Sequence, residues 1–406
     1  MSGVPGHPSP ALPELLAPVG DWTCLTAAIQ GGCDAVYFGV ETFNMRTGGA
    51  RNFCADDLAE VARTAREGGV RAYLTVNSIV FEHERADVSS LLEQASGHVN
   101  AVICWDPFVI AECRRLGLPI HISTQASVAN SQTAAFYREL GARRVVPARE
   151  CTLEELIAIR RESGMELEVF VHGAMCMAVS GRCFLSQDVY GRSANRGECL
   201  QNCRRVYRIT DIEEGAEHVL GEQTVLSAKD LCTMPFLDRL LDAGLDAFKI
   251  EGRGRNPEYV QTVVNCYRHA LNAWHDGRLT DALKAELTER LRGVFNRDFS
   301  GGFLFGRPIA EFTDRSDNQA TRRKHAVGVV ANYYPKLEVA VVKVQNNGFR
   351  EGHTLMIQGP TTGSLEFAVR GPRQAGEPVC EVRKGEATFV VPEKVRRNDK
   401  VYRLEG

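Results

Sequence analysis

Five cysteines gather in one stretch of the chain: Cys176, Cys183, Cys199, Cys203 and Cys232. Thiolates are soft ligands, so four of them can hold zinc or an iron–sulfur cluster. Zinc knuckles usually show Cys-x-x-Cys pairs, and this chain has none. Wide, irregular separations through a loop suit a cluster at least as well, so spacing alone divides evenly between the two. Of the remaining eight cysteines, Cys24, Cys33, Cys104, Cys113 and Cys266 sit in apolar or helical contexts and read as packing residues. Cys54, Cys151 and Cys380 are similarly unremarkable.

A second group is charged. In Lys249-Ile250-Glu251-Gly252-Arg253, strand alternation puts Lys249, Glu251 and Arg253 on one face and Ile250 on the other. Three charges facing inward must neutralise each other or meet a ligand, because unpaired buried charge is costly. One reading is a structural Lys–Glu pair; the other is a catalytic site for an anionic substrate such as a dicarboxylate. His172, four residues before Cys176, is either a hydrogen-bonded structural residue or a proton-transfer group. Asn77, Asp106, Gln125, Arg149 and Glu150 fall at predicted strand ends, where they would line a pocket or cap helices. Arg46 and Arg51 would grip a carboxylate or phosphate through their planar donors, or else be solvated loop charge.

These groups need a scaffold. Short β-type runs alternate with amphipathic helical ones: Leu16–Val19, Ala35–Phe38, Ala72–Asn77, Ala101–Trp105, Ile120–Thr124, Val145–Ala148, Leu167–Val171 and Ala247–Glu251. Eight such units predict an α/β fold of the TIM type, a (β/α)8 barrel, over residues 15–317, with an open doubly wound sheet as the rival. The rhythm breaks after the seventh strand in a cysteine-rich excursion, residues 173–232, on the face where barrel active sites sit. A polar linker at 318–325 leads to alternating runs over 326–406 that predict a small antiparallel β-barrel. Residues 1–14 read as a disordered, Pro-rich tail.

The 406 residues are 44% hydrophobic and 24% charged with a net charge of −3, which excludes a globally basic nucleic-acid binder. No apolar run spans a bilayer, the start lacks the features of a secretory signal, and an odd cysteine count predicts a reducing, cytoplasmic setting. Local charge is another matter. Arg192, Arg196, Arg204, Arg205 and Arg208 decorate the excursion, with Tyr190 and Tyr207 among them, and Arg322 and Arg323 mark the linker. Such arginine and aromatic groups suit RNA phosphates and exposed bases, although a charge run is often only a solvated face.

Glu168-Val-Phe-Val-His172-Gly-Ala-Met-Cys176 and Ser180-Gly-Arg-Cys183-Phe-Leu-Ser186 resemble the signature of the peptidase U32, collagenase-like, family. "KIEGRGRNPEYV" from Lys249, "LLAPVGD" from Leu15 and "NMRTGGARNF" from Asn44 are similar to further family blocks. The resemblance implies hydroxylation rather than proteolysis: family branches act on tRNA wobble uridine, a 23S rRNA cytidine or ubiquinone precursors. It implies a [4Fe–4S] cluster on a Cys-x6-Cys-x15-Cys pattern plus a distant cysteine, which Cys176, Cys183, Cys199 and Cys232 match with a shortened last interval. Cys203 would be a substitute or a separate reactive thiol. A barrel with one appended β-domain looks most like the branch that forms 5-hydroxyuridine in tRNA with prephenate as co-substrate. The implied partners are tRNA, a small dicarboxylate and an electron donor or partner protein, with no membrane. The alternatives are a collagenase-like protease, which has no HExxH or GxSxG motif to support it, and a noncatalytic RNA-binding accessory protein.

Overall fold

The computed structural model describes residues 12–207, 209–210, 212–215, 217–218, 226–308, 311–313, 315 and 317–406. Residues 1–11 of the expected tail, and Arg208, lie outside the described residues.

The first half of the chain is a repeated strand–helix unit. In order come β1 (Glu14–Pro18), α1 (Trp22–Gly31), β2 (Ala35–Phe38), α2 (Leu58–Glu67), β3 (Arg71–Val76), α3 (Arg85–Ala95), β4 (Ala101–Cys104) and α4 (Pro107–Leu116). Then follow β5 (Ile120–Ile122), α5 (Ser131–Glu139), β6 (Ala142–Val145), α6 (Leu153–Ser163) and β7 (Glu166–Ala174). Helix starts follow local chemistry. Asp21 accepts from the Cys24 amide to begin α1, Asp106 precedes Pro107 at the first turn of α4, and Thr152 with Glu155 forms a capping box on α6.

The cysteine-rich segment carries α7 (Leu185–Tyr190), a small hairpin of β8 (Ile209–Thr210) and β9 (Glu217–His218), and β10 (Asp230–Cys232). The barrel resumes with α8 (Leu237–Asp242), β11 (Ala247–Ile250), α9 (Pro257–His275) and α10 (Asp281–Arg292), followed by β12 (Phe299–Ser300). Strands β1 to β7 pair in sequence, all parallel, and β11 pairs with both β7 and β1. The predicted (β/α)8 barrel is therefore closed. Alternation sorts its side chains: Leu15, Val36, Phe38, Leu74 and Ile250 pack outward under the helices, whereas Leu16, Tyr37, Tyr73 and Ile103 fill the interior.

Four details differ from the sequence reading. Glu14, assigned to the tail, starts β1 and is buried against Arg144 and Arg71. Strand β6 begins at Ala142, three residues earlier than expected, because its inward position is held by a charged residue, Arg144, that breaks the apolar run. Strand β10 was not anticipated: it runs antiparallel to the end of β7, pairing Cys232 with His172. The expected linker is short and pinned, with the Gln319 and Thr321 amides bonded to Asn296 and Arg292 carbonyls before the next strand begins at Arg323.

The C-terminal part is antiparallel, built from β13 (Arg323–Tyr334), β14 (Val339–Val344), β15 (Phe349–Arg350), β16 (Thr354–Gly359), β17 (Gly363–Ala368), β18 (Arg373–Gln374), β19 (Glu377–Pro378), β20 (Glu381–Val382), β21 (Gly385–Val390) and β22 (Lys400–Glu405). Eight of these form one sheet around a core that includes Val330, Val342, Ile357 and Phe389. It docks on α1 and α9, where Thr26 donates to the Pro360 carbonyl at 2.6 Å and Gln358 donates to Glu258 at 2.8 Å.

Candidate functional site

Above the interior layer, the C-terminal strand ends enclose a cavity of about 320 Å3. Each strand delivers what its alternation dictates. Tyr37 comes from β2, Thr75 from β3, Ile103 from β4, Phe170 and Ala174 from β7, and Lys249 from β11. The turns that follow add Arg46, Asn77, Ser123, Gln125, Arg149, Glu251 and Arg253. Seven of the expected polar residues thus meet in one place, and Asn77, Ser123 and Gln125 touch: Asn77 Nδ2 donates to Ser123 Oγ at 3.2 Å and to Gln125 Oε1 at 3.4 Å.

The charges are arranged unevenly. Lys249 Nζ donates to Glu168 Oε1 at 2.6 Å and lies 4.4 Å from the Tyr37 ring centroid. Arg46 Nη2 meets Glu251 Oε1 at 2.7 Å. Burial pushes the Glu251 carboxyl upward, but the fields of Arg46, Arg149 and Arg255 overcome it and bring it down to about 2. Arg149 instead donates to the Ala174 carbonyl at 2.7 Å and stacks 3.9 Å over Phe170, leaving its Nε buried without a partner. Arg253 donates to Thr75 Oγ1 at 3.1 Å, and burial lowers its guanidinium to about 10. Neither has a carboxylate in salt-bridge contact among the described residues. Arg204 lines the cavity as well and is bonded to carbonyls, so after the two ion pairs three guanidinium groups there have no carboxylate in salt-bridge contact among the described residues.

The roof is the cysteine-rich segment, and side chains rather than regular structure hold it. Ser186 Oγ donates to Asn202 Oδ1 at 2.9 Å, Asn202 Nδ2 to the Leu185 carbonyl at 3.1 Å, and the Cys183 amide to Asn195 Oδ1 at 3.1 Å. The Gly48 amide reaches the Gly197 carbonyl at 3.0 Å. Gly197 adopts a left-handed φ of 84°, and a Cβ there would lie 2.1 Å from the Asn44 carbonyl oxygen, so only glycine fits. Within this roof Cys176, Cys183, Cys199 and Cys203 all line the cavity. Each of the first three exerts a Coulomb effect on Cys203, whose thiol is pushed up chiefly by burial. Amides of Leu185 and Gln201 point at the sulfurs of Cys183 and Cys199, each at 3.4 Å.

Cys232 is elsewhere. It is buried in the outer core, with its neighbours being Tyr267 and Cys266, and burial pushes its thiol up to about 12. It was expected among the roof cysteines, but β10 turns antiparallel to β7 and points it under α9, and it is Cys203 that lines the cavity with Cys176, Cys183 and Cys199. Among the described residues, no three His, Cys, Asp or Glu side chains converge on a single-ion site. Four thiols in the lining of one cavity, two of them met by backbone amides, are a donor set that an iron–sulfur cluster takes.

Other expected residues are also displaced. His172 does not line the cavity. It is buried in a cage of Tyr259, Tyr267 and Phe299 rings, and burial, with Arg255, lowers it to about 3. A neutral imidazole so enclosed is a packing residue. Arg51 turns away from the cavity toward the C-terminal sheet and pairs with Asp21 at 3.4 Å. Asp106 is spent on capping α4, and Glu150 is exposed.

Of the arginines expected to meet RNA, two are structural. Arg196 clasps Glu84 and the Ile79 carbonyl and stacks on Phe81; Arg204 binds the carbonyls of Met175 and Ala228. Loop backbone without a ladder needs such donors, and guanidinium groups supply several at once. Arg192 pairs with Glu198, Arg205 with the Tyr190 hydroxyl, and Arg322 with Glu366, while Arg323 is exposed at the start of β13. Thr75, Ser123 and Tyr37 were missed. Their signal was the same inward parity that identified Lys249.

A parallel eight-stranded barrel with a cation-rich mouth under a roof of four cysteines defines the class of protein. The chain belongs to peptidase family U32, whose family model matches residues 20–314. It is 38% identical over 404 residues to a protein of Porphyromonas gingivalis named "Collagenase", covering 97% of this chain and 98% of that one. It is 34% identical over 357 residues to "tRNA hydroxylation protein P1" of Bacillus subtilis, covering 86% of this chain and 84% of that protein. A third relative, the Escherichia coli "23S rRNA 5-hydroxycytidine C2501 synthase", is 35% identical over 64% of this chain but only 39% of its own length. Among the described residues, no helix is long and apolar enough to cross a membrane.

Proposed function

We propose that the chain hydroxylates RNA, and specifically the wobble uridine of tRNA to 5-hydroxyuridine, with prephenate as a dicarboxylate co-substrate. The observation that carries this reading is the meeting of Arg149 and Arg253, two guanidinium groups without carboxylate partners, with four thiols in the lining of one cavity. Arg149 and Arg253 would take one carboxylate each, since planar bidentate donors match that geometry. Asn77, Ser123 and Gln125 would orient the ring or hydroxyl of the bound acid. Arg46 keeps Glu251 ionised, which leaves its carboxylate a hydrogen-bond acceptor for a hydroxyl of a bound molecule. Cys176, Cys183, Cys199 and Cys203 would hold the cluster, which when bound supplies one-electron chemistry at the roof. The hydroxylation proteins among the relatives support the RNA substrate, and the matched lengths favour the tRNA branch over the rRNA one.

Proteolysis has less support. Among the described residues no histidine lines the cavity, so neither Ser123 nor a roof cysteine there has an imidazole base.

The test is a deletion strain analysed for 5-hydroxyuridine by mass spectrometry of bulk tRNA. Wild type should restore the nucleoside and Cys176→Ala should not; unchanged modification on deletion overturns the reading. Anaerobic purification should then yield iron and acid-labile sulfide that are lost in Cys176→Ala, Cys183→Ala, Cys199→Ala and Cys203→Ala. Cys232→Ala should keep both. Loss in Cys232→Ala with retention in Cys203→Ala would reverse the ligand assignment.

A further inference from the structure

A second cavity, of about 470 Å3, lies between the barrel and the C-terminal sheet. Loops 48–51 and 253–257 form one wall, and residues of β13, β16 and β22 form the other. Its charged lining is Arg51, Arg255, Lys324 and Lys400 against a single carboxylate, Asp21. That carboxylate is already engaged by the Cys24 amide at 2.8 Å and by Arg51 at 3.4 Å. Lys324 pairs with Glu258 outside the cavity, and its Nζ lies 4.6 Å from the ring centroid of Tyr402, which also lines the wall. Arg255 is stacked 3.6 Å over Phe295, so its guanidinium is held in place without a carboxylate partner. Cations outnumber carboxylates, an aromatic ring stands among them, and both domains contribute.

The two cavities share a wall. Arg253 lines both: its side chain faces the barrel mouth while its backbone faces the inter-domain space. A Cβ at Gly20 would lie 2.1 Å from the Arg253 carbonyl oxygen, and one at Gly254 would lie 2.4 Å from that of Gly49. These glycines let three loops pack backbone against backbone, so the partition is one layer thick. The same loop that presents Arg46 to the barrel mouth presents Arg51 to the inter-domain side.

We propose that the inter-domain cavity is a subsite for a backbone phosphate of the RNA whose base is presented to the barrel mouth. Arg51 and Lys400 contact the phosphate, and Tyr402 offers a stacking face to a flanking base. This rests on the RNA reading above and adds to it where the strand is gripped. It also gives the C-terminal sheet a role: it completes a groove that the barrel alone would leave open. An acidic protein segment is the competing occupant, but the excess of cations beside a half-buried aromatic ring, one loop away from the site of base chemistry, favours a nucleotide chain.

The experiment measures binding of the anaerobically purified full chain to a labelled unmodified tRNA transcript over a range of salt concentrations. Arg51→Gln/Lys400→Gln replaces two exposed cations and spares the barrel cavity. It should weaken binding about 10-fold and lower the slope of log affinity against log salt by roughly one to two. Lys336→Gln/Lys343→Gln, the same charge change at exposed positions that line neither cavity, should leave both unchanged. Equal affinity and slope in wild type and the Arg51/Lys400 variant overturn the subsite while leaving the RNA reading intact. If wild type binds no tRNA but binds polyglutamate, and the variant loses that, the cavity serves an acidic protein and both readings fall.

Discussion

The barrel holds two groups of buried charge, one in its interior and one at its mouth, and they are built to different rules. In the interior, Arg144 bridges Glu14, at 3.2 Å through both terminal nitrogens, and Glu166 and Glu168, while Lys249 takes the other oxygen of Glu168. Every charge has an opposite partner. The fields of Lys249 and Arg144 keep the Glu168 carboxyl below its ordinary value despite the larger upward push of burial. Of Arg46, Arg149 and Arg253 at the mouth, Arg46 has a carboxylate, whereas Arg149 and Arg253 make do with a carbonyl, a sulfur, an aromatic face and a hydroxyl. A neutralised network contributes to a unique fold, whereas an unneutralised one stores an affinity for anions. The difference separates a structural plug from a binding site a few residues further along the same strands.

Breaking the plug should have the largest effect. Arg144→Met leaves Glu14 and Glu168 buried without their shared partner and should cost about 3–5 kcal/mol in denaturant unfolding. A loss under about 1 kcal/mol would mean that the interior charges are not coupled as described. At the mouth the same change should act on binding instead. Arg149→Met and Arg253→Met should each weaken the dicarboxylate roughly 100-fold, from the loss of one charge-assisted contact, with unfolding stability held or raised. If either variant unfolds as readily as Arg144→Met, the mouth is a second plug and the excess charge has no ligand.

An effect confined to acid pH, and absent at neutral pH, sharpens where the boundary lies. His172 belongs to neither group, lying in its cage of aromatic rings, and its folded value of about 3 is below the ordinary 6.5. As pH falls the unfolded chain takes up the proton first, so the stability that its neutral form contributes is whole above about 6.5 and declines toward 3. His172→Phe should remove up to about 1.4 kcal/mol per pH unit from the acid slope in that window. His121, also lowered to about 3 by burial, supplies a similar slope that should remain. The variant should still form product at unchanged pH optimum; a shifted optimum would return His172 to the catalytic group.

Much of the site was legible before any coordinates. Parity along a strand requires only that Lys249 and Glu251 share a face opposite Ile250, and all three took those positions. Other residues were not legible, because their roles depend on partners distant in sequence. Arg196 and Arg51 look alike as loop arginines, yet one clasps Glu84 and the other faces a different domain. Glu14 reads as tail because the partners that bury it, Arg71 and Arg144, lie 57 and 130 residues away.

The sequence by itself determined the eightfold strand–helix rhythm, the inward parity of the charged strand end and the cysteine-bearing excursion over the barrel mouth. These depend on local periodicity, capping and spacing. Only the tertiary structure decided that Cys203 rather than Cys232 joins the other roof thiols, since that turns on the direction of a three-residue strand pairing with β7. It alone decided which arginines are neutralised, because charge compensation is a property of distances in space. It alone created the inter-domain cavity, whose walls come from segments more than 300 residues apart in the chain.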